Sequence, residues 1–395
     1  LKFLPIAFST LLGLACQDSS WVDNHFALEM PEQGKPPSHF SQIEKSLEPE
    51  SCGTCHTKQY DKWKSSLHSQ TLQDPILWEL PNLTEEERNT CYRCHSPLRE
   101  TRTLTDVSLG LKTRINPEWE EYIKTNTHEN GIFCASCHVR SHIRHGPPPQ
   151  TSQKEPNEIL NPPHNGYVIR KEYEKSEFCA SCHESPSSGK KLNGKRLMET
   201  FSEWKASRFS KQGIECQSCH MPNREHDWKG IHDKDYVRNS LEINWRKMAN
   251  QSGHYEFSIL SKNIGHRFPS YAVPLVQVQF IWEFEKEALI LREEFLGRIV
   301  DIYLEKEIQD NRWYPDETKS WIIDPKDWNL TNGKLKSRVV IFPDSLYSEK
   351  FRHNIENAKN LGIQGKRLDS LQKAYLSKSK SGYILYESSL PLDFR

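Results

Sequence analysis

The sequence predicts two parts: a mainly helical and irregular domain with little regular core, followed by a small all-β, sandwich-like domain. Three observations predict this. Only 35% of the 395 residues are hydrophobic, too few to fill an ordinary core with side chains alone. Ten of the eleven cysteines form five Cys-x-x-Cys pairs between residues 52 and 219, and each pair is followed at once by His. From residue 271 onward the chain has no Cys and a single His, and its apolar residues begin to alternate. The 53 basic and 53 acidic side chains cancel, which removes the basic face that nucleic-acid binding requires.

Residues 1–16, LKFLPIAFSTLLGLAC, carry one Lys and then an apolar run too short to span a bilayer. A charged start, a short apolar stretch and small residues before a cut describe an export signal. Cys16 is the one cysteine outside the five pairs. Gly13-Leu14-Ala15-Cys16 resembles a bacterial lipoprotein cleavage site in a loose version, with the expected Leu displaced to position 12. On that reading Cys16 carries a lipid; the alternative is an ordinary secretory signal with a stray thiol. Residues 17–50 are rich in Ser, Pro, Glu and Gln and read as a flexible tether. The expectation is an exported protein in the periplasm or at the cell surface, anchored by lipid to a bacterial membrane.

The five strings are Cys52-Gly-Thr-Cys55-His56, Cys91-Tyr-Arg-Cys94-His95, Cys134-Ala-Ser-Cys137-His138, Cys179-Ala-Ser-Cys182-His183 and Cys216-Gln-Ser-Cys219-His220. Cys-x-x-Cys-His is the attachment signature of c-type haem. The two thiols add to the porphyrin vinyl groups, and the following imidazole lies under the iron. Structural disulfides would leave the five histidines unexplained. Zinc ribbons would pair the motifs and leave one over. The implied cofactor is therefore five haem c, with His56, His95, His138, His183 and His220 as proximal ligands. Phe-Cys-Ala-Ser-Cys-His occurs at both 133–138 and 178–183, a trace of duplication.

The second axial ligand sets redox character. The chain has four Met, and Met221 directly follows a proximal His, so His/His ligation and low potentials are expected. His68, in Tyr60-x-x-Trp63-x-x-Ser66-x-His68, is placed near the end of a helix leaving the first site. The same pattern before the fifth site puts Phe209 at the matching position, which leaves either another ligand source or an open iron. His164 and His266 lie in constrained Pro- and Gly-containing segments, His145 in a comparable one. His226 and His232 flank Trp228, and His232 is preferred. His128, His142 and His254 are weaker candidates, while His25, His39 and His353 read as surface residues.

These residues together resemble the cytochrome c-554 family. The resemblance rests on the opening Cys-x-x-Cys-His-x3-Tyr-x2-Trp-x2-Ser-x-His, on Gly131-Ile132-x-Cys-Ala-x-Cys-His-Val139-Arg140, on Gly146-Pro147-Pro148, on Ser176-Glu177-Phe178, and on Glu203-Trp204 with Cys-Gln-Ser-Cys-His-Met221-Pro222. It covers residues 50–270 and extends to the haem-packing motifs of hydroxylamine oxidoreductase and pentahaem nitrite reductase. The Gly-His-x-Phe-Pro element at 265–269 also recurs in that group, at the junction with a C-terminal β domain. The resemblance implies haem pairs packed into a path for electrons. Two departures weigh against its catalytic members: nitrite-reducing relatives often carry Lys at the active haem, whereas all five motifs here end in His, and hydroxylamine oxidoreductases carry more haems.

The domain reading is thus 51–270 for the pentahaem cytochrome c part and 271–395 for the β-rich part. In the latter Val276, Val278, Phe280, Trp282 and Phe284 alternate with mostly polar neighbours, a half-buried strand. Further strands are expected at 299–304, 319–323, 337–342 and 382–387, and a helix at 366–378. Its expected role is to cover the last haem and present a docking face. The leading functional reading is extracytoplasmic electron transfer through five mostly bis-His haems, between redox partner proteins such as donor and acceptor cytochromes or quinol-linked enzymes. No catalytic residue is assigned. The alternative is an oxidoreductase acting on a small nitrogen or sulfur compound at one five-coordinate haem.

Overall fold

The computed structural model describes residues 20–111, 114–149, 162–248, 253–330 and 332–392. The signal and Cys16 lie outside the described residues. From Ser20 the chain does not hang free. Helix α1 (Trp21–His25) is closed by a capping box in which Ser20 and Asp23 exchange bonds. Val22, Phe26, Met30, Phe40 and Leu47 are buried at irregular intervals. Between them the backbone is bonded into the body: Arg102 donates to Leu28 O at 2.5 Å, Arg140 to His25 O at 2.9 Å, and Gln33 N to Glu100 Oε1 at 2.6 Å. Residues 20–48 form a packed strap where the composition suggested a tether. Its anchors follow no helix or strand period, so periodicity could not reveal them.

Short helices carry the Cys pairs: α2 (Pro49–Gly53), α4 (Glu85–His95), α6 (Cys134–His138), α7 (Ser176–His183) and α9 (Cys216–His220). Between the first two runs α3 (Thr57–Lys64), and after α4 comes α5 (Arg99–Ser108). Only α4 is long, and Thr84 caps it with Glu87 three residues on. Helix α5 is buried along most of its length, including Glu100 and Arg102. The packing clusters in this domain are small and separate. One gathers Trp63, Leu98, Leu104, Trp119 and Phe133; another gathers Leu72, Leu80 and Tyr92.

A two-residue hairpin supplies one site directly. Strands β1 (Val139–Arg140) and β2 (Ile143–Gly146) pair with Arg140 opposite Ile143. Ser141 and His142 at the turn both have positive φ, the conformation that a tight hairpin twist requires.

The C-terminal part is a β-sandwich. A three-stranded antiparallel sheet is built from β3 (Glu242–Lys247), β4 (Tyr255–Leu260) and β7 (Thr318–Ile323), with β4 central. A four-stranded antiparallel sheet runs β9 (Tyr383–Pro391), β8 (Lys334–Phe342), β5 (Leu275–Phe284), β6 (Glu287–Leu296). Phe257, Ile259, Phe280, Val339, Trp321 and Leu385 meet between them in one core. Strands β5, β7, β8 and β9 contain the expected segments, while 299–304 contributes only Arg298–Val300 to a separate two-stranded ribbon. Strands β3 and β4 precede residue 270, so the sandwich begins before the boundary drawn from cysteine and histidine content. Helix α11 (Lys366–Ser379) matches the expected helix. Helix α10 (Ser345–Glu356) was not foreseen. It packs back on the haem domain, with Phe351 against Trp78 and Lys350 Nζ 2.9 Å from Glu79 Oε1. Among the described residues no helix is long and apolar enough to cross a membrane.

Candidate haem centres

The five motifs converge in space. Thiol hydrogen bonds join Cys52 to Cys134, Cys94 to Cys182, and Cys179 to Cys216. These thiols stand where thioether links to haem would form. Site one therefore adjoins site three, and site four adjoins both two and five.

Two imidazoles bound end-on to one metal, at the metal–nitrogen distance of about 2.0 Å usual for such ligands, put their ring centroids roughly 6.3 Å apart. Three His pairs meet this test. His183 and His68 are 6.3 Å apart, His138 and His226 6.3 Å, and His220 and His266 6.4 Å. In each pair one member follows a Cys pair and the other comes from a distant segment. The residues present fit the group that the motifs imply.

Hydrogen bonding sorts the histidines further. A ligand His holds its ring by donating from Nδ1, leaving Nε2 for the metal. His95 (to Thr71 O, 3.0 Å), His138 (His145 O, 2.8 Å), His220 (Lys229 O, 2.8 Å), His226 (Arg224 O, 2.9 Å), His266 (Arg267 O, 2.9 Å) and His164 (Gly166 O, 2.8 Å) are all placed this way. So is the partly exposed His128, to Thr125 O at 3.0 Å. His25, His142 and His232 are engaged through Nε2 instead, on Cys137 O, Gly34 O and Asp344 Oδ2 at 2.6, 2.8 and 3.2 Å. Burial lowers the pKa of His68 to about 3 and of His138, His183 and His266 to about 4. These rings are neutral at pH 7, the form that binds metal.

The candidates from sequence fall into distinct places. His68 crosses from the first motif to the fourth, held by Ile132 N on its carbonyl at 2.9 Å and by Trp228 at 4.4 Å. His266 reaches His220 because Gly265 lies on the rings of Trp204 and Phe209, where a Cβ would sit 3.3–3.4 Å away. A His from the β4–β5 connection of the sandwich thus faces His220, where the sequence pattern has Phe209. His164 is close enough to His56 for their charges to interact. His145 has a different place: its carbonyl orients His138, while its ring packs at 5.6 Å on Trp21. His232 is hydrogen-bonded through Nε2 to Asp344 Oδ2 at 3.2 Å, and His226 lies opposite His138 in its stead. Only tertiary packing separates those two, six residues apart with similar neighbours. His25, read as a surface residue, is 3% exposed and donates to Cys137 O, the carbonyl that also receives the Tyr173 hydroxyl at 2.5 Å. Tyr173 lies parallel to His138 with centroids 5.0 Å apart.

A family model described as cytochrome c552 matches residues 32–256, more than half of the chain. The chain belongs to the cytochrome c552 family. It is a multihaem cytochrome c, with haem c at its attachment sites and electron transport as its chemistry. The sequence resemblance had been drawn to the c-554 family; the matching model is that of c552. A penta-heme cytochrome c552 from Thermochromatium tepidum shares the fold of this cytochrome, with 15% sequence identity and a TM-score of 0.57, over 88% of this chain and 99% of that one. No curated protein matches the sequence.

Proposed function

We propose that this cytochrome relays electrons outside the cytoplasm through five haem c, of which at least three have two His ligands. The observation that carries this reading is the trio of His pairs at 6.3–6.4 Å. When bound, each haem supplies a one-electron Fe(III)/Fe(II) couple whose potential depends on ligands, hydrogen bonds and burial. The chain's part is to hold His68 against His183, His226 against His138 and His266 against His220, and to fix their tautomers through backbone carbonyls. His164 is the proposed fourth distal ligand, facing His56. The Cys contacts order the sites as one to three and as two to four to five. The thiol of Cys137 also interacts electrostatically with those of Cys179 and Cys182, which brings site three near site four. Export, a lipid on Cys16 and docking to redox partner proteins complete the proposal. Potentiometric titration with low-temperature EPR tests it: three or more low-spin components that take up one electron each are expected. A chain whose haems are mostly high-spin would refute it.

A second reading is favoured at site two. Among the described residues neither His56 nor His95 has a His ring at about 6.3 Å; His164 interacts with His56, whereas the rings that interact with His95, those of His68 and His183, already face each other. Near its Cys91 lies Glu79, which also interacts with Tyr347, itself beside Tyr271 and Asp344. Neither phenol makes a hydrogen bond within the described residues. We infer that iron at this site has one protein ligand and that small molecules reach it, as an oxidoreductase of small nitrogen or sulfur compounds requires.

A further inference from the structure

Arg140 follows His138 by two residues and folds back over the helix that anchors site three. All five of its N–H donors end on backbone carbonyls. Nε and one Nη2 bond go to His25 O at 2.9 and 2.5 Å, the other Nη2 bond to Ser136 O at 3.0 Å, and Nη1 to Val139 O at 2.6 Å and Ala135 O at 3.4 Å. A guanidinium has five donors and no acceptor, and it keeps its charge in proteins. This one has no donor left for a carboxylate, whether from a side chain or from a haem propionate, and among the described residues no acidic group forms an ion pair with it. Phe26 covers its face at 5.5 Å. Arg102 repeats the theme at site two, on Ser96 O, Leu28 O and Pro97 O, again without an ion pair among the described residues. Glu100, whose charge reaches Arg140, makes no ion pair with it and accepts from Gln33 N and the Tyr122 hydroxyl through Oε1.

The other sites differ. Beside His183, Arg196 is paired with Glu184 at 2.7 Å. Beyond His220, Arg224 is paired with Glu174 at 2.5 Å. Next to His56, Lys58 and Lys62 are paired with Glu225 at 3.1 and 3.4 Å. These cations near sites one, four and five are paired, as is Arg88 with Asp106 at site two; Arg144, which acts on Cys52 of site one, shares the carbonyl-bound state of Arg140 and Arg102. A partly buried positive charge without an ion-pair partner favours whichever redox state holds one more electron, and salt screens it less than an exposed charge.

We propose that Arg140 is a fixed cation built into the fold to raise the potential of the haem at site three, placing that site at the electron-accepting end of the series, with Arg102 acting likewise at site two. This rests on the electron-carrier reading and gives it a direction. The strap is part of the device, because His25 supplies a carbonyl to Arg140 and Leu28 one to Arg102.

The test is a potentiometric titration of the full chain carrying five haems. Arg140→Gln is expected to move one component to lower potential by a tenfold or larger change in its reduction equilibrium, about 59 mV for a one-electron couple, leaving four in place. Arg140→Lys, which keeps the charge, returns the component most of the way. His226→Ala identifies that component as site three by turning it high-spin. A shift in a different component, or none in protein with its full haem load, overturns the proposal. Should Arg140→Gln fail to accumulate with five haems, the wild type decides: the component marked by His226→Ala belongs among the two highest, and a place among the lower three overturns the assignment. If the haems do not titrate as one-electron couples at all, it is the carrier reading that fails.

Discussion

The imidazoles of His220 and His266 lie 6.4 Å apart and within 15° of parallel. Forty-six residues of chain separate them, and the second lies between strands β4 and β5 of the sandwich. The β-domain thus brings His266 to the fifth site, where it would supply the distal ligand proposed above. Replacing His266 with Ala should leave five covalent haems, since the thioether links are untouched, but convert one low-spin signal to high-spin. Haem count by mass and EPR check this together.

His226 and His232 should behave oppositely. His226→Ala is expected to open one haem to cyanide. His232→Ala should leave every spin state unchanged and remove only the hydrogen bond to Asp344, at a cost of about 1 kcal/mol. Should the His232 variant lose a low-spin haem, the ligand assignment would be reversed.

Gly131 has φ of +59°, and a Cβ there would come 2.6–2.8 Å from Thr71 Oγ1, Thr71 N and His68 O. Gly131→Ala therefore has to push away the turn that presents His68 to His183 and Thr71 to His95. The expected result is a destabilised protein, by about 1–3 kcal/mol, in which a low-spin component is lost or broadened. An unaltered EPR spectrum would mean that the turn is not what holds His68.

Exogenous ligand should bind the oxidised wild type at one haem per chain. Cyanide titration followed in the Soret region measures the stoichiometry. Saturation at one fits an open second site; zero would end the oxidoreductase reading.

The interface of the two domains contains a buried ionic cluster. Arg312 Nε is 2.8 Å from Asp310 Oδ1 and its Nη1 3.1 Å from Glu203 Oε1, while Arg267 and Lys195 also reach Asp310. Burial alone would raise the Asp310 pKa, but hydrogen bonds and charge from Arg312 and Lys195 outweigh it and hold the carboxyl well below its usual range. The folded state thus favours the ionised form. Its stabilisation is complete above the ordinary carboxylate pKa of about 4 and is lost as pH falls below it. Asp310→Asn should cost about 3 kcal/mol at pH 7, and the gap in Tm between variant and wild type should narrow below about pH 4.

How much was legible in the sequence follows from range. Covalent haem attachment is local: two thiols and an imidazole within five residues, so Cys52 to His56 and its four repeats could be read directly. Strand alternation at 276–284 is equally local, and the structure has a strand there. The helix at 345–356 was hidden because Leu346 and Phe351 bury against different neighbours and give no clean stripe. The strap at 20–48 was hidden because its anchors bind through backbone carbonyls, which every residue has.

The sequence by itself determined the cofactor and the two-part architecture, and it names the attachment sites and expected proximal ligands from residues adjacent in the chain. Tertiary structure alone decided which His rings face each other: His226 and not His232 with His138, His68 with His183, and His266 with His220. A trans ligand is defined by a distance of a few ångströms across a metal and by which ring nitrogen is left free. Both depend on the packing of segments far apart in sequence, and no spacing along the chain encodes them.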